Sequence, residues 1–170
     1  LKRDHLVLVH FRVMPGHTDF ETSMETMFKL QREGKILHVG VSNVSRSELQ
    51  TAMKMGNITT VENMYGHGQR TTLKMVYGET RGGEEILDIC EMNKIPLIPY
   101  WSIFNSKADS RISAIARKYN ASEAQIKIAW TLHRSSWILT IPGTSSLIHF
   151  EENLRAADLK LTEEDMSYLE

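Results

Sequence analysis

Residues 34–56, GKILHVGVSNVSRSELQTAMKMG, hold a complete strand–turn–helix unit. The mainly apolar residues 36–43 predict a strand, and the amphipathic stretch behind them predicts a helix. Ser45, with Glu48 three residues further on, is typical of a capping box, and Gly56 marks the end of the helix. A buried strand that leads into an amphipathic helix is the repeating unit of a parallel sheet covered by helices.

The same alternation of strand and helix continues on both sides of this unit. Apolar runs that predict strands lie at residues 5–11, 36–43, 58–65, 95–101 and 137–143. Helical spacing of apolar residues occurs at residues 19–35, 45–56, 82–94, 110–120, 122–134, 146–157 and 162–170. Ser122 with Gln125 repeats the capping-box spacing, and the polar residues 66–83 predict a long loop. We therefore expect an α/β fold with about five parallel strands alternating with helices.

Two architectures fit this alternation, and the pattern alone leaves both open. A doubly wound open sheet of about five strands would be complete at this length. A (β/α)₈ barrel has eight units and about 250 residues, so the chain would hold only its last part. The first strand is followed by FRVMPGHTDF, residues 11–20, which lacks the G-x-G-x-x-G of a dinucleotide-binding fold.

Charge and composition exclude several classes of function. With 20 basic against 21 acidic residues, the net charge of -1 gives no electrostatic basis for binding nucleic acid or an anionic membrane surface. No apolar run reaches the roughly 20 residues that span a bilayer, and no signal-peptide pattern is present. The single cysteine, Cys90, cannot form an internal disulfide, which favours a reducing, cytoplasmic compartment. No group of residues has the spacing of a metal site.

Five segments carry a resemblance to a known family. They are REGKILHVGVSN (32–43), VENMY (61–65), IPLIPYWSIF (95–104), ASEAQIKIAWTLHR (121–134) and IPGTSSLIHFEENLRAADLKLTEEDMSYLE (141–170). In this order they resemble the aldo-keto reductases over nearly the whole chain. The resemblance implies a partial TIM (β/α)₈ barrel that starts at the fourth strand of the family, as a single truncated domain over residues 1–170.

The resemblance also implies a reaction, the reduction of small-molecule aldehydes and ketones by NADP(H) or NAD(H). In the family a tyrosine protonates the carbonyl oxygen, a lysine and an aspartate tune its acidity, and a histidine orients the substrate. His10 matches that histidine, but no residue of this chain matches the tyrosine, lysine or aspartate. The chain is therefore expected to be a reductase only if an N-terminal part completes it. The alternative is a non-catalytic nucleotide-binding, scaffold or regulatory protein derived from the family.

By the same resemblance, four residues hold the nicotinamide. Ser42 and Asn43 would bind its carboxamide, and Tyr100 would stack on its ring. Glu62 stands where the family commonly has a glutamine, so it would offer only acceptors to the carboxamide when it is ionised. Ser42 and Asn43 are also suited to capping the next helix, and this role is compatible with binding. From pattern alone, Tyr100 suits packing in the core as well as it suits stacking.

The adenine nucleotide would bind near the last predicted strand. A loop that ends at a helix N-terminus suits anions, and the family places the cofactor phosphates there. In this chain the loop residues are Gly143, Thr144 and Ser145. On the helix that follows, the resemblance implies that His149 lies near the phosphates and that Glu152 and Asn153 face the adenine.

The first and last predicted strands lie at the two ends of the sheet. Residues 5–11 and 137–143 are both apolar, and an exposed, apolar strand edge tends to recruit another chain. We therefore expect self-association or a complementing chain that covers these edges.

Overall fold

The computed structural model of the chain describes residues 3–71, 73–75, 78–80, 82–103 and 108–170. Its centre is a parallel sheet of three strands in chain order, β1 (Leu6–Arg12), β2 (Ile36–Ser42) and β3 (Val61–Glu62). The pairing of β1 with β2 runs from Leu6 opposite Ile36 to Arg12 opposite Ser42. A helix crosses from each strand to the next, so the predicted alternation is confirmed for this part of the chain.

The expectation of about five strands is met only in part. Residues 95–101 and 137–143 form isolated parallel bridges, Val61 to Leu97 and Leu97 to Ile138, in place of regular strands. Pro96 and Pro99 explain the interruption, because neither can donate a backbone hydrogen bond to the neighbouring segment. Five segments of the chain thus lie side by side in parallel, but only three of them are continuous strands.

The predicted long loop at residues 66–83 contains a short hairpin. Its strands, β4 (Leu73–Met75) and β5 (Gly78–Thr80), pair antiparallel. An alternating pattern becomes recognisable only over about four to eight residues, so strands of this length leave no usable signal in the sequence.

Seven helices are seen in the part of the chain that the structure describes: α1 (Phe20–Arg32), α2 (Arg46–Met55), α3 (Glu84–Asn93), α4 (Ser110–Tyr119), α5 (Glu123–Arg134), α6 (Leu147–Arg155) and α7 (Glu163–Leu169). Both predicted capping boxes are confirmed. The hydroxyls of Ser45 and Ser122 each accept from the backbone amide of the third helical residue, and their own backbone amides donate to the side chain of that residue. Helix α6 ends earlier than predicted, and a 3₁₀ turn, Ala156–Asp158, follows it.

Side chains alternate between the two faces of the sheet. Val39, Val41 and Val61 are fully buried in the apolar core. The opposite face carries His10 next to Gly40, its register partner on β2. A Cβ on Gly40 would lie 2.5 Å from the His10 ring, so the absence of a side chain there makes room for the imidazole.

Candidate functional site

Chemically active side chains come together where the parallel segments reach their carboxyl ends. In the register of the strands, Arg12 lies opposite Ser42, and Ser42 lies opposite Glu62. His10 precedes Arg12 by two residues on the same strand, so both belong to one face. The carboxyl end of the strands is where parallel α/β folds place their ligands.

His10 is held by two neighbouring side chains. Its Nε2 lies 2.8 Å from the hydroxyl of Thr60, and its Nδ1 lies 3.7 Å from a carboxylate oxygen of Glu62. Burial lowers the pKa of His10, and the charge of Glu62 opposes this effect only in part. The ring is therefore neutral near pH 7, with one nitrogen donating and the other accepting. Before it could orient a substrate oxygen through Nε2, the ring would have to exchange its contact with Thr60.

Ser42 and Asn43 are both buried at the end of β2. Asn43 has a left-handed backbone, with φ at 56°, and its Nδ2 donates to the carbonyl of Val13 at 2.8 Å. Helix capping does not account for either residue, because Ser45 is the N-cap of α2. The left-handed turn and the Val13 contact instead fix the Asn43 amide at the strand edge.

Tyr100 lies between a cation and a second aromatic ring. The guanidinium carbon of Arg12 is 4.8 Å from the Tyr100 ring centroid, and the Trp101 ring meets the tyrosine edge-on at 5.9 Å. The Tyr100 hydroxyl donates to Oδ1 of Asn43 at 3.0 Å, and burial raises the pKa of this hydroxyl. Arg12 also donates from Nη1 to the hydroxyl of Ser42 at 3.0 Å, which makes it part of the same cluster.

Asn63 is a residue of this region that the sequence analysis did not single out. It is fully buried, its Oδ1 accepts from the Val44 amide at 3.1 Å, and its Nδ2 donates to the Val44 carbonyl at 2.7 Å. Its own carbonyl accepts from the Tyr100 amide at 3.1 Å. Asn63 thus ties the turn after β2 to the segment that carries Tyr100. The signal was present, since Asn63 lies at strand spacing between the apolar Val61 and Tyr65, on the face of the VENMY segment that is expected to be buried.

A cleft runs from Tyr100 toward the loop after the last parallel segment. It has a volume of about 380 Å³ and is lined by Tyr100, Trp101, Ser102, Ile103, Ile141, Pro142 and Gly143. The Ser102 hydroxyl is buried and has no hydrogen-bond partner among the described residues. Apart from Gly143 itself and its two chain neighbours, no atom of the described residues lies within 4 Å of the place where a Gly143 side chain would be. An apolar wall with an unpaired hydroxyl suits a ligand that has both a ring and polar groups.

The loop at residues 143–145 leads directly into α6. Ser146 caps this helix by accepting from the His149 amide at 3.4 Å, and the Ser146 amide donates to the Thr144 hydroxyl at 3.1 Å. The first amides of a helix have no carbonyl partner within it, so they remain available to an anion at this end. The sequence-predicted residues in this region are exposed, namely Gly143, Thr144, Ser145 and His149, or half-buried, namely Glu152 and Asn153.

The described residues lack both a cluster of metal ligands and a membrane-spanning helix. They contain no group of three or more histidine, cysteine, aspartate and glutamate side chains that could hold a metal ion. Among the same residues, every helix is too short or too polar to cross a membrane.

Comparison with known proteins gives a single family. The sequence model described as the aldo/keto reductase family matches residues 1–107 and 103–170. Pyridoxine 4-dehydrogenase of Escherichia coli (strain K12) is 31% identical over an alignment 175 residues long, gaps included, which covers 98% of the chain and 57% of that protein. Glyoxal reductase of Bacillus subtilis (strain 168) is 27% identical over 167 residues, which cover 97% of the chain and 55% of that protein. The chain thus spans little more than half the length of these curated relatives.

Solved structures of similar proteins share the fold. The thermostable aldo-keto reductase Tm1743, in complex with the inhibitor epalrestat, superposes with a TM-score of 0.79 at 25% identity, covering 98% of this chain and 59% of that one. An aldo-keto reductase from Klebsiella pneumoniae in complex with NADPH superposes with a TM-score of 0.76 at 24% identity, covering 98% and 58%.

Proposed function

Because this chain belongs to the aldo/keto reductase family, we propose that its strand-edge residues form the cofactor-binding part of an NAD(P)H-dependent carbonyl-reducing site. The observation that carries the proposal is the cluster of Ser42, Asn43 and Tyr100 beside the cleft that leads to Gly143. Tyr100 donates a hydrogen bond to Asn43, and Arg12 links Ser42 to the Tyr100 ring. The five parallel segments are, on this proposal, an arc of a (β/α)₈ barrel.

The nicotinamide end of the cofactor fits the strand edge. The Ser42 hydroxyl and the Asn43 amide can donate to and accept from its carboxamide, and Tyr100 offers a flat ring for stacking. Glu62, next to Ser42 in the register, can accept from the carboxamide amino group. A bound nicotinamide would supply the hydride, while His10, one layer below, is the proposed contact for the oxygen of a small carbonyl substrate.

The nucleotide end fits the cleft and the loop beyond it. The buried Ser102 hydroxyl and the loop at residues 143–145 are proposed to hold the phosphates, with His149 near them. The half-buried Glu152 and Asn153 are proposed to face the adenine. NADP(H) is preferred to NAD(H), since a relative of the same fold was solved with NADPH.

A non-catalytic nucleotide-binding, scaffold or regulatory role is the second candidate, and a specific observation favours it. Both nitrogens of His10 face protein groups, and the hydroxyl of Tyr100 is bonded to Asn43. Carbonyl reduction needs a proton donor, which on our proposal comes from a complementing segment that supplies a tyrosine with its lysine and aspartate. Binding of the cofactor without turnover would support the regulatory role.

The cofactor proposal is tested by calorimetric titration of the chain with NADPH and with NADH. We expect saturable binding that is tighter for NADPH, and Tyr100→Ala should weaken it about fivefold or more, because a ring-stacking contact is lost. Tyr168, which is 52% exposed on α7, gives the matched control, and Tyr168→Ala should bind as the unchanged chain does. Absence of saturable binding would refute the cofactor role, and equal affinity in Tyr100→Ala would remove Tyr100 from the site.

We also propose that a second copy or a complementing chain covers the edge of β1. Val7 is 58% exposed on this strand, which pairs with β2 but with no other strand among the described residues. Leu139 and Ile141 are likewise exposed at the other end of the sheet. Sedimentation velocity should show association, and Val7→Lys should shift the distribution toward monomer, since a charge on an open edge opposes pairing. A chain that is already monomeric at micromolar concentration would contradict this.

Cys90 gives no sign of reactivity. It is fully buried, and burial raises the pKa of its thiol to about 12, so the thiol stays protonated. A cytoplasmic location is a proposal that rests on this single, unpaired thiol.

A further inference from the structure

Arg12 covers a face of Tyr100. Its guanidinium carbon lies 4.8 Å from the ring centroid, and its Nη1 donates to the Ser42 hydroxyl at 3.0 Å. With this cover Tyr100 as a whole residue is only 9% exposed, while Arg12 itself is exposed to solvent. The guanidinium is thus a planar group of N–H donors that stacks on one residue of the cluster and bonds to another.

These two contacts are the ones that a nicotinamide would need. We propose that Arg12 is an internal competitor of the nicotinamide ring, and that the ring must displace the guanidinium to reach Tyr100 and Ser42. This inference rests on the proposed cofactor site. It assigns to Arg12 a role in setting the affinity for the nicotinamide end of the cofactor, apart from any contact with the phosphates.

Displacement of Arg12 is within the reach of a ligand. No carboxylate among the described residues forms an ion pair with Arg12 within 4.0 Å, and its exposed side chain can turn into water without crossing the core. The contacts that are lost include the cation–π contact of the exposed Arg12 with Tyr100 and the hydrogen bond from Arg12 to Ser42. Because the nicotinamide must break these Arg12 contacts, its binding is expected to be about five- to tenfold weaker than at a site without Arg12.

The direction of the effect separates this role from simple charge attraction. NADPH is an anion, so removal of a nearby cation should by charge alone weaken binding. Removal of a competitor should instead tighten it. The same removal should give no gain to a ligand that lacks the nicotinamide, because such a ligand does not compete for Tyr100.

The experiment titrates the chain with NADPH and with 2′-phospho-ADP-ribose, which is the cofactor without its nicotinamide. Arg12→Ala is expected to bind NADPH about five- to tenfold more tightly than the unchanged chain, with no gain for 2′-phospho-ADP-ribose. Arg12→Lys keeps the charge but loses the planar guanidinium. Its affinity for NADPH is expected to lie between those of the unchanged chain and Arg12→Ala. Arg32, exposed in the last turn of α1, provides the matched control, and Arg32→Ala should behave as the unchanged chain does for both ligands.

Each other outcome has a defined meaning. Equal or weaker NADPH binding in Arg12→Ala, with Arg32→Ala unchanged, overturns the competitor role while leaving the proposed cofactor site intact. A gain of the same size for both ligands also overturns it, because the nicotinamide would then not be the group that competes. Failure of every variant and the unchanged chain to bind either ligand refutes the cofactor site itself, and this inference with it. Far-ultraviolet circular dichroism of each variant checks that the fold is retained.

Discussion

Replacing Asn63 by alanine is expected to lower the free energy of unfolding by about 2–4 kcal/mol. The substitution removes both hydrogen bonds to the backbone of Val44, a residue with no exposed surface. An amide and a carbonyl are then left buried without their partner, and each such group costs about 1–3 kcal/mol. This is a large share of the 5–15 kcal/mol that is typical of a folded domain, and urea denaturation measures it directly.

Asn57 supplies the control for this substitution, since it is exposed in the turn after α2. Asn57→Ala should change the free energy of unfolding by less than about 0.5 kcal/mol. Asn63→Asp keeps the acceptor for the Val44 amide but loses the donor to its carbonyl, so its loss should be at least as large as that of Asn63→Ala if the buried carboxylate stays ionised. If Asn63→Ala lowers the free energy of unfolding by less than about 1 kcal/mol, water replaces the side chain, and the two Asn63 hydrogen bonds to Val44 are not needed for stability.

Much of the fold could be predicted because it follows local rules. The capping boxes at Ser45 and Ser122 depend only on residues three positions apart, and helical periodicity depends only on one helix face. The parallel arrangement followed from strands separated by helices. The sequence also contains the cause of the interruption in the strand predicted at residues 95–101, because Pro96 and Pro99 disfavour a continuous strand. The prediction of a regular strand there did not take these prolines into account.

The sequence predicted which residues form much of the candidate cofactor site, but not the side-chain contacts between them. Resemblance named Ser42, Asn43 and Tyr100, and the structure brings them into one cluster. It did not name Arg12, because the stacking of its side chain on Tyr100 joins segments about ninety residues apart, and no local pattern encodes such a contact. The same holds for Asn63, whose partner lies nineteen residues away.

The neighbourhood of His10 sets the expectation for catalysis. The groups recorded in contact with its ring nitrogens are Thr60 and Glu62, and neither is a phenol that could protonate a carbonyl oxygen. The Tyr100 hydroxyl donates a hydrogen bond to Oδ1 of Asn43, and the Tyr65 hydroxyl donates one to the Glu84 carboxylate, 2.8 Å away. Burial raises the pKa of the Tyr65 and Tyr100 hydroxyls, so proton loss from either would be costly.

The chain alone is therefore expected to reduce aldehydes at least 10²–10³-fold more slowly than a full-length relative, since one missing donor in a developing oxyanion site costs this much. Loss of NADPH absorbance with an aldehyde measures the rate, and the calorimetric titration on the same sample shows how much cofactor is bound. Glyoxal reductase of Bacillus subtilis, the relative with 27% identity, serves as the positive control under the same conditions, with glyoxal as the aldehyde. An ordinary enzymatic rate that Tyr100→Phe abolishes would contradict the expectation and make Tyr100 the proton donor. The same rate retained in Tyr100→Phe but lost in His10→Gln would contradict it as well, because His10 would then act with a donor outside this cluster.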